Sequence, residues 1–163
     1  MTTFEVVRDV LLLGLGLFGT GLSIFNYIDA KSKDKRQIRV TLSSAIPTYH
    51  DGSLGLTYAK LEATNVGSRD VVVSSMFIEA SRGGRLTSFE QGVFPGVADT
   101  ILPTPLSDGH SAHRFYAYRD IGEALIGSGR TGKQTITPVC EDSSGAQHRG
   151  EPWEVTPEEL LGM

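Results

Sequence analysis

The string Gly127-Ser128-Gly129-Arg130-Thr131-Gly132-Lys133 satisfies GxxxxGK, the spacing with which a glycine-rich loop cradles phosphates. The match fails at the next residue. Such a loop needs Ser or Thr directly after the lysine to hold Mg²⁺, and Gln134 stands there ahead of Thr135. The order of elements is also reversed, because a phosphate loop leads from a strand into a helix whose N-terminus meets the anion. Here a predicted helix precedes and a predicted strand follows, so the glycines read as a flexible connection. Four histidines, His50, His110, His113 and His148, are the candidate metal ligands. His110 and His113 are three apart, but no HExxH and no Cys-rich cluster accompanies them, and His50 and His148 fall in predicted turns. Cys140 lies on a predicted strand with no helix N-terminus before it and no histidine paired with it in sequence. It reads as a small buried residue rather than a nucleophile. Neither a metal nor a cofactor is expected.

The bulk composition narrows the classes further. With 163 residues there is room for one domain of ordinary size, and one cysteine leaves no partner for an intramolecular disulfide. After Val40 there are nine Lys and Arg against fifteen Asp and Glu, so this region stands at −6 and offers no basic face to nucleic acid. The mean hydropathy of −0.09 describes an average soluble protein. That average hides two unlike parts.

Residues 10–28, VLLLGLGLFGTGLSIFNYI, run for nineteen positions without a formal charge. A helix of that length spans roughly 28 Å, close to the hydrocarbon thickness of a bilayer, so a transmembrane helix is predicted after a short N-terminal segment, 1–9. A cleaved signal peptide is disfavoured by Glu5 and Asp9 ahead of the run and by Ile28 at the outer position of any small-x-small site. Before the run the only basic residue is Arg8. After it come Lys31, Lys33, Lys35, Arg36 and Arg39, which assigns the segment 29–36 as a basic juxtamembrane linker and places the C-terminal part in the cytoplasm, at the inner or plasma membrane. Within the helix, Gly16, Gly19, Thr20 and Ser23 fall in one arc at 100° per residue. Small residues at such spacing let helix backbones approach closely, so this arc is the expected helix-packing face.

Beyond Arg36 the period becomes two. Ile38, Val40 and Leu42 alternate with polar residues, Leu54 to Thr64 forms a second run, and Val71 to Ala80 a third. A fourth strand, Arg85 to Glu90, follows a tight turn at Gly83-Gly84. The stretch Gln91 to Gly109 is rich in Gly, Pro and Asp and reads as a connection, with an edge segment at Thr100 to Leu102. Ala112 to Tyr118 is a strand. Asp120 is the expected N-cap of a short helix over 121–126, with Glu123 at the capping-box position and Gly127 as the stop. Gln134 to Glu141 and Gln147 to Val155 complete the strands. The tail, 156–163, is acidic and reads either as a short frayed helix capped by Thr156 or as a docking peptide.

About seven short strands with one crossover helix suit a mainly β fold: an Ig-like antiparallel β-sandwich over 37–155. The Cys, Trp, Cys spacing of true immunoglobulin domains is missing. Three phrases, Ala63-Thr64-Asn65-Val66-Gly67 leading into Val71-Val72-Val73, Leu106-Ser107-Asp108-Gly109, and Glu141-Asp142-Ser143-Ser144-Gly145, carry a likeness. In them the chain resembles bacterial single-pass membrane proteins with an N-terminal transmembrane helix, a basic flank and an Ig-like domain. The resemblance implies that fold and anchor and brings no activity with it. The expected function is therefore a non-enzymatic, membrane-anchored interaction module or accessory subunit, embedded in the bilayer through 10–28 and meeting a protein partner or a second copy. The competing expectation is a tethered enzyme or ligand receptor that uses the 91–113 region with Asp108, His110 and His113.

Overall fold

The computed structural model describes residues 3–33, 37–81, 83–87 and 93–163, with the side chains of 3–10 and 32–33 outside the described set. Two units are present, Met1–Lys35 and Arg36–Met163.

In the first unit a single helix, α1, runs over Thr3–Lys33. Its stretch Leu11–Lys31, with a mean hydropathy of 1.6, is long and apolar enough to cross a membrane. The Leu, Ile and Phe side chains along it are bare, with Leu13, Leu15 and Phe25 each more than two-thirds exposed. The two hydroxyls on the small-residue arc are satisfied within the helix: Thr20 Oγ1 donates to the Gly16 carbonyl at 2.8 Å and Ser23 Oγ to that of Gly19 at 2.9 Å. Back-bonding of this kind lets Ser and Thr sit in an apolar medium without an orphaned donor. The helix does not stop at Ile28 as the charge pattern suggested. Asp29 to Lys33 extend it, because nothing in DAKSK breaks a helix, so the first five positions of the expected 29–36 linker are helical. Lys31 lies 5.9 Å from the centroid of the Tyr27 ring, Arg39 is an exposed residue on the first strand, and Lys35 and Arg36 lie outside the described residues.

The second unit contains, in chain order, β1 (Ile38–Ala45), β2 (Tyr58–Asn65), β3 (Val71–Ala80), β4 (Gly84–Leu86), β5 (Thr104–Leu106), β6 (Ser111–Ala117), α2 (Tyr118–Gly127), β7 (Gln134–Asp142), β8 (Gln147–Arg149), β9 (Trp153–Val155) and α3 (Pro157–Leu160). The strands form two antiparallel sheets. One has the order β1-β2-β6; the other has the order β4-β3-β7-β8, with β5 also on β3 and β9 also on β7. Alternation explains which faces are buried. In the first sheet Val40, Ala59, Leu61, Ala63, Ala112 and Tyr116 turn inward, and they join Val73, Met76, Ile78, Ile136 and Cys140 of the second in one core. The Tyr116 hydroxyl donates to the Met76 carbonyl at 3.1 Å, which ties the two sheets together.

Several boundaries differ from the sequence reading, each for a local reason. β2 begins at Tyr58 rather than Leu54, because Leu54 bridges back to Thr48 in the preceding turn. β3 carries a register shift between Val73 and Ser75, where the Ser74 hydroxyl bonds the Glu141 carbonyl at 2.9 Å. The bulge changes the phase, so Met76, Phe77 and Ile78 are all buried. The edge segment lies at Thr104–Leu106 and not at 100–102. Residues 98–100 run instead along the open side of β6: Thr100 N–H donates to the His113 carbonyl and the Asp99 carboxylate accepts from Phe115 N–H, at 3.0 and 2.9 Å. The last predicted strand is split into β8 and β9 by Gly150-Glu151-Pro152, and the pairing with β7 slips by one residue across that break. Gly150 permits the approach there, since a Cβ would stand 2.4 Å from the Val40 carbonyl oxygen.

Asp120 is not the N-cap of α2. The helix starts at Tyr118, with Ala117 in the cap position and no side-chain cap bond, which puts Asp120 in the first turn where its charge favours the positive end of the helix dipole. The tail is not a separate element. Pro157 and Leu160 are buried, and α3 lies against α2 at Gly122, where a Cβ would come within 2.8 Å of the Pro157 carbonyl oxygen. Thr156 sits at the N-cap of α3, although its side chain makes no cap bond.

Candidate functional site

The GxxxxGK string folds as a helix terminus. Gly129 N–H donates to the Ile126 carbonyl at 2.8 Å and Arg130 N–H to that of Leu125 at 2.9 Å, the paired bonds of a Schellman C-cap. Gly129 and Gly132 have φ of +74° and +66°, conformations that favour glycine, so the segment is an ordered cap and not the flexible connection expected. It also sits at the negative end of the helix dipole, which disfavours a phosphate. Arg130 bonds the Ser128 hydroxyl at 2.8 Å, and Lys133 pairs with Glu154 at 2.7 Å.

The histidines and acids of the 91–113 region are dispersed. Gln91 and Gly92 lie outside the described residues. Phe94 stacks on Phe115 with centroids 4.5 Å apart and meets Tyr58 edge-on at 5.1 Å, so this loop covers the outer face of the first sheet. The His113 ring is held by the Ala98 carbonyl at 3.0 Å and the edge of Phe115. Asp108 and His110 are exposed in the turn before β6, where the His110 carbonyl accepts from Asn65 N–H. Among the described residues no group of three or more His, Cys, Asp or Glu could hold a metal ion.

Cys140 is fully buried, and burial first, then the carboxylates of Asp142 and Glu141, push its thiol up to about 12. The thiolate that a nucleophile needs is thus scarce at neutral pH. In the native full-length protein Cys140 is expected to remain unmodified by a water-soluble disulfide reagent over hours and to react within minutes in denaturant. Native-state labelling at the denatured rate would contradict this burial.

Two buried polar side chains, to which the sequence assigns no role, organise the turns. Asn65, fully buried, donates from Nδ2 to the carbonyls of Arg69 and Leu106 at 2.8 and 2.9 Å and accepts from Gly67 N–H at 3.0 Å. Asp142, at 3% exposure, accepts at Oδ1 from the backbone and hydroxyl of Ser144 and from Ala146 N–H, while Oδ2 lies 3.3 Å from His148 Nε2. Burial works to raise the Asp142 carboxyl, but the Ser144 hydroxyl, His148 and the backbone donors outweigh it and hold the group down to about 2. A depressed folded value means stability that is complete above the ordinary carboxylate range and is lost as pH falls toward 2. Asp142→Asn should therefore cost on the order of 1–2 kcal/mol at pH 7. It should also flatten the loss of stability between pH 4 and 2, which denaturant titration at stepped pH would read. An unchanged acid limb would count against this role. The signal for both residues was the turn chemistry of Asn65-Val66-Gly67 and Asp142-Ser143-Ser144.

The surface that remains open is the seam between the two sheets. Among the described residues β1 has a hydrogen-bonded neighbour only in β2, and β8 and β9 only in β7, so these two edges are unpaired beside one another. Gly150 meets Val40 part-way along, and a groove lined by Arg39, Thr41, Arg149 and Glu151 lies there. Farther along is a cleft of about 410 Å³. Its floor is Ala59, Tyr118, Ile121, Ile136 and Leu160, all buried. Its mouth carries Ser44, Lys133, Trp153, Glu154 and Glu159. The Ser44 and Tyr118 hydroxyls share a hydrogen bond of 2.5 Å.

No protein-family model and no curated protein matches the chain. Among solved structures, a Northeast Structural Genomics Consortium target, SoR45, is similar over 77% of this chain and 91% of its own, with 16% identity and a TM-score of 0.31. A provisionally assigned ApaA protein from Bordetella pertussis is similar over 74% of this chain and 95% of its own, with 12% identity and a TM-score of 0.31.

Proposed function

We propose that this protein is a single-pass, membrane-anchored interaction module with an Ig-like β-sandwich, which captures an extended segment of a partner protein along the open edge of β1. The observation that carries the reading is how the strand edges are treated. The β6 edge is covered by residues 98–100, β4 and β5 are three residues long, and the β8–β9 edge is broken by Gly150-Glu151-Pro152. Short, covered, proline-bearing and bulged edges are the devices that prevent strand addition. β1 is neither short, bulged nor proline-bearing, and its free edge is approached closely by Gly150 at Val40: it pairs with β2 in unbroken register over eight residues and has Arg39, Thr41 and Ser43 exposed. Such an edge gives affinity through main-chain hydrogen bonds and specificity through alternate side chains.

The sheet orders β1-β2-β6 and β4-β3-β7-β8 support the Ig-like reading, since they place strands one, two and five-equivalent in one layer and the hairpin partners in the other. The bare apolar surface of α1 supports a transmembrane anchor, and the basic residues after it support a cytoplasmic C-terminal unit. The arc of Gly16, Gly19, Thr20 and Ser23, which no described atom approaches at its glycines, is the proposed face for a neighbouring helix.

Photo-cross-linking groups placed singly at Arg39, Thr41 and Ser43 test the edge in the intact cell, with Asp51 and Glu123 as remote exposed controls. A discrete adduct formed from the β1 positions and absent from the controls is expected. Equal adducts at all positions, or none from β1, would overturn the reading. Cysteine reporters at Thr2 and Ser143 test the orientation, because buried Cys140 contributes no background; modification of position 143 by an impermeant reagent in intact cells would reverse the proposed topology.

A further inference from the structure

The cleft beneath α3 is a second feature, separate in chemistry from the strand edge. We propose that it binds a small cationic amphiphile, a ring-sized apolar body bearing a primary ammonium group. Its volume of about 410 Å³ suits one ring with a short chain, near the lower end of the range of ~300–1,000 Å³ for ligand sites. The apolar floor, with Ile121, Ile136 and Leu160 no more than 6% exposed, favours an apolar body.

The polar groups at the mouth select the head. Lys133 and Glu154 neutralise one another at 2.7 Å. Glu159 lines the same cleft and makes no ion pair or side-chain hydrogen bond among the described residues, so the lining is left with one uncompensated carboxylate. The hydrogen bond between the Ser44 and Tyr118 hydroxyls uses one of their two protons and leaves oxygen lone pairs able to accept from an N–H donor. Trp153 adds an indole, the best aromatic face for a cation. A carboxylate ligand would meet Glu159 unfavourably, and a neutral ligand would gain neither an ion pair with the carboxylate nor a cation–π contact with the indole.

Trp153 is the only tryptophan in the chain, so its fluorescence reports on the cleft alone. The full-length protein in a nonionic detergent is titrated with 2-phenylethylammonium, 2-phenylethanol and 3-phenylpropanoate, a matched cation, neutral and anion. The expected result is a saturable change with the ammonium, at a Kd about tenfold or more below those of the other two. Glu159→Gln, at an exposed position, should bring the ammonium to the level of the alcohol. Ser44→Phe, which fills the mouth from exposed β1, should abolish the change for all three, with circular dichroism confirming that each variant is folded. Equal affinity for the ammonium and the alcohol in the unmodified protein would overturn the proposal, as would no saturable change or binding that survives Ser44→Phe. Because the readout is a small molecule at Trp153, any of these failures leaves the β1-edge reading standing, and cross-linking from β1 does not depend on the cleft.

Discussion

Asn65→Ala should be among the most destabilising single changes in the C-terminal unit, costing about 3 kcal/mol and shifting the folded-to-unfolded ratio by roughly a hundredfold. The reason is the number of groups that one side chain satisfies. Truncation leaves the carbonyls of Arg69 and Leu106 and the N–H of Gly67 without their partner, at a site where Asn65 itself has no exposed surface. Each buried orphan costs about 1–3 kcal/mol, less what an entering water recovers. The same residue closes the turn from both ends through its backbone, donating to His110 and accepting from Gly109, at 3.0 and 2.9 Å. Asn65→Asp should fare little better, since a carboxylate cannot donate to two carbonyls. Thr64→Ala next to it should be nearly neutral, because that hydroxyl bonds only Ser111 at the surface. Urea unfolding of the three variants is the measurement, and a loss below about 0.5 kcal/mol for Asn65→Ala would refute the network's importance.

Removing residues 1–36 should move the protein completely from the membrane to the aqueous fraction while leaving the unfolding transition of the remainder in place. The apolar stretch Leu11–Lys31 has no buried side chains in its own unit, and the second unit carries its own core. Leu, Ile and Phe each favour insertion by about 0.3–0.6 kcal/mol at a helix centre, so the sum over this stretch exceeds what one surface charge opposes. Leu17→Lys, at the middle of the span, should cost about 3 kcal/mol of insertion and shift the full chain partly into the soluble fraction. Alkaline extraction of membranes followed by blotting decides it. Release of the full-length chain by the wash, or retention of the shortened one, would contradict the anchor. The mass of the mature chain separates an anchor from a signal, because a cleaved signal would remove the helix altogether.

Much of the fold was legible because period-two patterning and turn chemistry are local. β3 and β6 lie within a residue of their expected bounds, and the hairpin signal at Ser143-Ser144-Gly145 is a turn whose centre is the buried Asp142 carboxylate. The boundaries that shifted did so where a distant partner intervened. Residues 98–100 became the cover of β6, Leu54 went to Thr48, and the last strand broke where Gly150 had to meet Val40. α2 was expected over 121–126 with Asp120 as its cap, but the chain enters the helix three residues earlier. The core takes Tyr118 with it, buried and hydrogen-bonded to Ser44 across the fold.

The site was less legible than the fold. The loop acids and histidines that looked most chemical serve turns and packing, whereas the seam depends on which edges find partners, a property of no single segment. The cleft draws Ser44, Tyr118, Trp153 and Glu159 from separate elements. Sequence alone determined the apolar helix, the basic flank, the acidic balance of the rest and the alternating strands, because charge, hydropathy and periodicity are carried by neighbouring residues. Only the tertiary structure decided that the glycine-rich string is a helix cap, that Asn65 and Asp142 are buried network centres, and that β1 runs unbroken along the seam between the sheets. Those outcomes depend on contacts between residues tens of positions apart, which no local pattern encodes.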